Sequence, residues 1–243
     1  MKVNNLVLTL AILIGFTSCG GSDDSMTNPI TSANISGSVN LYDESVTQID
    51  NNGMTIKVEG TSISTTTDTD GKFTLTDVPF GTYTLTYEKS GYGTFKRFDV
   101  DHNNGNTFIP DAPSLGQKST TSVTNLSINS SSSFPVIITT TTNPVANQAD
   151  TRYIRFFFST DANVSSTNYD SVLETYPINN TPHNLNLSQA SLDALGFASG
   201  TMVYVKSYGE SFWGNQYDDP DLGRQIFPNL NLNSAAAVSF IMP

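Results

Sequence analysis

The chain has 243 residues, with 22 acidic against 11 basic side chains, a net charge of −11, two histidines and one cysteine. An acidic chain without a basic run is a poor match for nucleic acid, and a lone cysteine excludes an intrachain disulfide. So few groups of the usual catalytic kinds remain that the composition points away from an enzyme.

The chain opens with Lys2, runs through apolar residues from Leu6 to Phe16 broken only by Thr9 and Gly15, and reaches Phe16-Thr17-Ser18-Cys19-Gly20. A charged start, an apolar stretch of signal-peptide length and small residues at a cleavage point follow the secretory pattern, and the run is too short to span a bilayer. It resembles the lipobox of bacterial lipoproteins, with Phe16 standing where Leu, Val or Ile is usual. The resemblance implies that residues 1–18 are a signal peptide and that Cys19 carries a covalent diacylglycerol and an N-acyl chain such as palmitate. Acyl chains contribute about 0.8 kcal/mol per buried methylene, enough in combination to anchor a soluble body to a membrane.

Loss of Lys2 with the leader takes the net charge from −11 to −12. Residues 19–33 are polar, rich in Gly, Ser and Asp, and read as a flexible tether. Gly20 follows the cysteine, not the Asp that holds some lipoproteins at the inner membrane. Asp23-Asp24 resembles the acidic tag that sends lipoproteins of one Gram-negative phylum to the outer face of the outer membrane, though two aspartates also simply keep a tether soluble. The expected location is the outer membrane, lipid-anchored, with outward and periplasmic orientations both open.

From 34 to 110 short runs of period-two alternation are separated by glycine-containing turns, which predicts strands. They are Ile35 to Leu41, Met54 to Val58, Ser62 to Thr67, Lys72 to Leu75, Thr82 to Glu88, Thr94 to Val100 and Asn106 to Ile109. Asp70-Gly71 suits a tight hairpin turn, with Phe73 and Leu75 inward, and Pro79 and Gly81 punctuate the next turn before Tyr83, Leu85 and Tyr87. A calcium loop starting at Asp68 would need glutamate at its twelfth position, where Pro79 stands, so Asp68 and Asp70 read as turn formers. The order Ile35-Ser36-Gly37-Ser38-Val39, Thr55 to Thr61, then T-D-T-D-G-K-F-T-L-T-D-V-P-F-G-T-Y-T-L-T-Y-E-K-S-G-Y over 67–92 resembles the carboxypeptidase regulatory-like, transthyretin-like domain family. The resemblance implies a small antiparallel sandwich. The peptidase associated with that family's name belongs to a separate domain.

Residues 111–120 contain Pro113 and Gly116 and read as a semi-rigid linker after Pro110. In 121–243 the strand runs are Ser122 to Ile128, Pro135 to Thr141, Arg152 to Ser159, Ser171 to Tyr176, His183 to Leu187, Met202 to Tyr208 and Ala236 to Ile241. One helical turn is expected where Ser188 caps, Leu192 and Leu195 lie three apart and Gly196 closes. Strand count and Tyr204-Val205-Lys206-Ser207-Tyr208 resemble a fibronectin type III or immunoglobulin-like sandwich without its cysteine pair. The expected fold is all-β, two antiparallel sandwiches in tandem. Tyr153 to Phe158 reads as a central strand buried on both faces.

Neither His102 nor His183 stands in a zinc-binding arrangement, no Gly-x-Ser-x-Gly elbow is present, and no resident cofactor is expected. The stretch G-E-S-F-W-G-N-Q-Y-D-D-P-D-L-G-R over 209–224 stands out, with Phe212 beside the only tryptophan. Trp213 and Tyr217 are candidate ligand-binding platforms, and Asp218, Asp219 and Asp221 are candidate calcium ligands. The simpler reading of the same stretch has Phe212 or Trp213 folded back as a cap on the sandwich end and the aspartates in a solvated turn with Pro220, since loop aromatics commonly complete small cores and acidic turns are common. These readings leave three functions open: non-catalytic display, adhesion or substrate capture at the cell surface, with a glycan or protein partner; a carbohydrate- or calcium-binding accessory module of a polysaccharide-uptake system; and a structural spacer or assembly subunit.

Overall fold

The computed structural model describes residues 31–129 and 134–243, so the leader, Cys19 and most of the expected tether lie outside the described residues. Every run that alternation predicts carries strand, although Ser171 to Tyr176 is broken at 173–175 into two short pieces, and further short strands form outside those runs. The first half comprises β1 (Ser32–Ser38), β2 (Asn40–Tyr42), β3 (Thr55–Val58), β4 (Ser64–Thr66), β5 (Lys72–Pro79), β6 (Gly81–Glu88), β7 (Phe95–His102), β8 (Thr107–Phe108) and β9 (Ser114–Gly116). A sheet of order β5-β1-β8 faces one of order β4-β3-β6-β7, and β2 pairs with β9. Ile35, Phe73, Leu75 and Val78 from the first sheet meet Ile56, Val58, Leu85 and Tyr87 from the second in one core. Full burial of such side chains stabilises by about 1.5–3 kcal/mol each.

Two details differ from the expected hairpins. The Asp68–Gly71 turn joins β4 to β5, which lie in different sheets, and Pro79–Gly81 likewise carries the chain from one sheet to the other. Each turn crosses the core edge instead of closing a hairpin. Asp68 Oδ1 accepts from the amides of Asp70 and Lys72, both at 2.9 Å, and Gly71 takes φ +78°, where a side chain would strike the Val39 carbonyl. The β1–β5 ladder also carries a bulge at Asp77 (φ +53°), which lets Leu75 and Val78, three apart, both face inward.

The predicted linker holds β9, which runs parallel to β2. This pairing and that of β1 with β8 are the parallel contacts among otherwise antiparallel ladders of the described residues.

The second half comprises β10 (Ser122–Asn129), β11 (Val136–Asn143), β12 (Arg152–Ser159), β13 (Ser171–Val172), β14 (Tyr176–Ile178), β15 (His183–Leu187), α1 (Gln189–Asp193), β16 (Met202–Glu210), β17 (Tyr217–Asp219), β18 (Arg224–Ile226) and β19 (Val238–Ile241). The sheet β10-β11-β15 packs on a five-stranded sheet in which β12 and β16 are central. Val123, Val136, Ile138 and Leu185 meet Ile154, Phe156, Phe158 and Val203 between them. Ser188 caps α1 by accepting from the Ser191 amide, and Gly196 follows with φ +83°.

β12 is buried on both faces. Its other face, through Phe157, meets Val164, Tyr208, Phe227 and Leu230 in a second small core. The chain between β16 and β19, including the β17–β18 hairpin, covers that face. Among the described residues no helix is long and apolar enough to cross a membrane.

Candidate functional site

Residues 31–243 form one unit, and the segment after β16 is where its two halves meet. Asn215 and Asn229 are buried and supply most of the polar seam. Asn229 Oδ1 accepts from the Gly93 amide (2.9 Å), while its Nδ2 donates to the carbonyls of Gly116 (2.8 Å) and Trp213 (2.7 Å). Asn215, held at φ +55°, accepts from the Gly116 amide (2.8 Å) and donates to the Gly116 carbonyl and to Asn229 Oδ1, both at 3.0 Å. Asparagine tolerates this left-handed backbone better than most residues. Gly93 must lack a side chain, because a Cβ there would lie 2.4 Å from the Pro228 backbone. Buried amides are stable only when paired, so each half completes the other's hydrogen bonding.

A charged bridge lies beside this seam. Glu44 of the first half accepts from the Thr120 amide (2.6 Å), the Thr120 hydroxyl (2.7 Å) and Arg152 (3.1 Å), and Arg152 also donates to Asp150 at 2.7 Å. Behind it Arg155 and Glu210 form a fully buried ion pair through Arg155 Nε. Arg155 also donates to the Leu173 carbonyl (3.0 Å) and to Thr175 (2.6 Å), and its guanidinium sits 4.5 Å from the Phe227 ring centre. Burial pushes the Glu210 carboxyl up, against the opposing pull of Arg155 and Thr175. Sequence reading missed this pair because Arg155 is embedded in an aromatic run and its partner is 55 residues away.

The aromatic residues of 209–226 divide between two roles. Tyr217 lies against Phe95 and Phe98 of β7, with ring centres 6.1 and 6.0 Å away, and burial raises its hydroxyl pKa against the pull of Lys96. Trp213 is half-buried and lies 5.0 Å from Tyr42 of the first half. Phe212 instead reaches solvent at 43% exposure, while its amide donates to the Glu44 carbonyl at 3.0 Å. The result is a row across the seam: Tyr42, Trp213, Phe212 and Tyr153, with successive ring centres 5.0, 5.0 and 5.5 Å apart.

Phe212 and Gln216 form the ridge between two cavities. One, about 310 Å³, is completed by Tyr153, Glu174, Thr175 and Pro177. The other, about 360 Å³, is walled by Trp213, Phe95 and Leu115, and the buried indole Nε1 of Trp213 has no hydrogen-bond partner. Apolar rings with a few convergent polar groups define the usual small-molecule site.

Asp218, Asp219 and Asp221 lie at the β17–β18 hairpin. Asp219 Oδ1 accepts from the amides of Asp221 (3.0 Å) and Leu222 (3.1 Å), closing the turn, and Asp218 faces Gln225 at 3.5 Å. Among the described residues no group of three or more His, Cys, Asp or Glu side chains is arranged to hold a metal ion. His102 is fully buried, between the Thr107 hydroxyl (2.7 Å) and the Val78 carbonyl (3.1 Å), so its Nε2–H donates to the carbonyl. It ties β7 to β5 and β8.

Residues 27–111 match the carboxypeptidase regulatory-like domain, in agreement with the resemblance read from 34–110. The match covers the first sandwich and leaves the second unassigned. No curated protein matches the chain. Among solved structures, the chain is similar to a DUF3823 family protein of Parabacteroides merdae at 11% identity, over 86% of this chain and 98% of that one, with a TM-score of 0.32. A Bacteroides uniformis protein provisionally named as carbohydrate-binding shares 15% identity over 87% of this chain and 100% of that one, TM-score 0.31. A cohesin–dockerin complex from Acetivibrio cellulolyticus shares 23% identity over 34% of this chain, which spans only 56% of that one, TM-score 0.30.

Proposed function

We propose that this protein is a non-catalytic envelope lipoprotein, held to the outer membrane through Cys19, that captures a glycan on the aromatic row at its seam. The observation that carries the reading is exposed Phe212, set between Tyr153 and Trp213 and flanked by a cavity bearing Glu174, Thr175 and Gln216. Sugar rings stack their C–H faces on aromatic surfaces and direct hydroxyls at neighbouring polar groups, and an exposed aromatic on an otherwise fixed loop suits that use. Capture needs no reacting group, in keeping with histidines that serve as a buried tie at His102 and a ring packed on Tyr176 at His183.

Glycan-array binding by the intact protein tests the reading. Binding by wild type that falls at least about tenfold in Phe212→Ala, the loss of about 1.4 kcal/mol or more, supports it. Full retention of binding in that variant, or no bound glycan, overturns it. The anchor has its own test: radiolabelled palmitate incorporated by wild type and lost in Cys19→Ala, with protease shaving of intact cells and a periplasmic marker to report orientation.

A further inference from the structure

The tripeptide Asn-Asn-Gly occurs twice in the first sandwich, at 51–53 between β2 and β3 and at 103–105 between β7 and β8. Asn52 and Asn104 both reach solvent, yet the fold engages them differently. At the first copy the Gly53 N–H donates to the Thr67 carbonyl (3.0 Å), Asn52 Nδ2 donates to Asp50 Oδ2 (2.9 Å), and the Asn52 carbonyl accepts from Lys89 Nζ. At the second copy, among the described residues, neither the Gly105 N–H nor the Asn104 side-chain amide has a hydrogen-bond partner, and Gly105 takes φ +114°. The chain on either side of that pair is held: Asn103 Nδ2 donates to Asp101, His102 Nδ1 and the Thr107 hydroxyl lie 2.7 Å apart, and Asn106 accepts from the Asn34 amide at 3.0 Å.

An asparagine followed by glycine can react with its own backbone. The glycine nitrogen attacks the side-chain carbonyl carbon, a step whose partners are already neighbours, and glycine has no Cβ to obstruct the approach. A C–N bond forms, Nδ2 leaves as ammonia with the proton that the glycine nitrogen gives up, and a succinimide ring remains. Water then opens the ring. Cleavage at the side-chain carbonyl leaves an aspartate; cleavage at the main-chain carbonyl leaves an isoaspartate, whose backbone is longer by one methylene. One water is consumed and one ammonia released, with no change in oxidation state. A glycine nitrogen whose proton is held by a carbonyl must be released before it can attack, and an amide held by a carboxylate must be freed to rotate toward it. Asn52–Gly53 carries both restraints, and Asn104–Gly105 carries neither.

We infer that Asn104 is a site of spontaneous deamidation, converting to aspartate and isoaspartate, and that its sequence twin Asn52 is locked against the same reaction by its hydrogen bonds. The inference is independent of glycan capture. Its product adds a negative charge to the β7–β8 turn and, as isoaspartate, lengthens the main chain between His102 and Thr107, the two residues whose side chains tie those strands together.

Incubation of the full chain in mildly alkaline buffer, with samples taken over weeks and digested for mass spectrometry, tests the inference. Peptides carrying positions 52 and 104 report each site separately, and enzymatic methylation of isoaspartyl groups marks the rearranged product. The expected result is deamidation at Asn104 at least about tenfold faster than at Asn52, with isoaspartate among the products. In guanidinium the restraining hydrogen bonds are lost and only the shared tripeptide remains, so the two rates are expected to converge. No deamidation at Asn104, equal rates at the two sites in the folded protein, or a contrast of about tenfold that persists in guanidinium each overturns the inference, the last because it would place the cause in the neighbouring sequence and not in the fold.

Discussion

The two sandwiches bury their sheets in different ways. In the first, β5 alternates between exposed and buried positions, and a single core lies between two sheets whose outer faces meet water. In the second, β12 is buried along nearly its whole length because the segment after β16 folds back over the outer face. Covering a sheet twice brings charge inside: Arg155 and Glu210 are sealed beneath that segment, whereas the ion pairs of the first sandwich, such as Lys57–Glu88, stay in solvent. A one-sided sheet keeps its polar chemistry outside, and a two-sided sheet must pair it internally.

The sharpest way to break this contrast is Arg155→Ala, which strands a buried carboxylate. It is expected to cost about 3–5 kcal/mol in urea unfolding, and the double variant that combines Arg155→Met with Glu210→Leu should restore most of the loss. A single mutant as mild as a surface change would mean that Glu210 finds water. Next comes the join between the sandwiches. Asn229→Ala leaves several buried groups unpaired, at about 1–3 kcal/mol each, and Gly93→Ala forces a methyl onto Pro228. Calorimetry is expected to show one transition for wild type and two for these variants; a single transition in both would show that apolar contacts alone hold the halves together.

Two groups of the second sandwich bear on its acid sensitivity. Burial lowers the pKa of His183, so below its ordinary value near 6.5 the unfolded chain binds the proton first. Stability from this group is therefore full above about pH 6.5 and declines as pH falls toward the depressed folded value. Wild type is expected to lose more thermal stability than His183→Asn between pH 7 and 5.5, and parallel curves would refute the assignment. Asp170, held low by the Thr160 amide and the Ser159 and Thr160 hydroxyls, adds a further loss only below the usual carboxylate range. The smallest effect belongs to the first sandwich: Lys57→Ala is expected to change stability by less than about 1 kcal/mol in the same urea measurement, since the pair it breaks is exposed.

Strand positions were legible wherever one side chain in two faces water. His183–Leu187 and Arg152–Ser159 form as alternation and apolar content predict. What alternation does not encode is the partner of each strand. Asp68–Gly71 carries the turn signals of a hairpin yet joins two sheets, because turn chemistry fixes local geometry and the core decides which neighbour pairs. The short strands β9, β17 and β18 were missed for a related reason: three residues are too few to display a period. At the site, the stretch 209–224 was recognisable by composition, but not which aromatic stays exposed. That choice follows from Tyr42, Phe95 and Phe98, which take Trp213 and Tyr217 as packing partners and leave Phe212 to solvent. Asn215 and Asn229 escape sequence reading, since nothing local marks an amide that will bond to glycines more than 90 positions away.

The shared amides at Gly93, Gly116, Asn215 and Asn229 bear on how such a protein can diversify. A sandwich that satisfies its own polar groups can be cut out and joined to new neighbours, as a self-contained cassette. Here either piece, moved alone, would carry unfilled donors and acceptors on what had been an interior surface. Recombination that keeps this chain soluble must therefore transfer both sandwiches together, and change in specificity is left to exposed side chains such as Val46, Phe212 and Gln216 that border the seam without closing it.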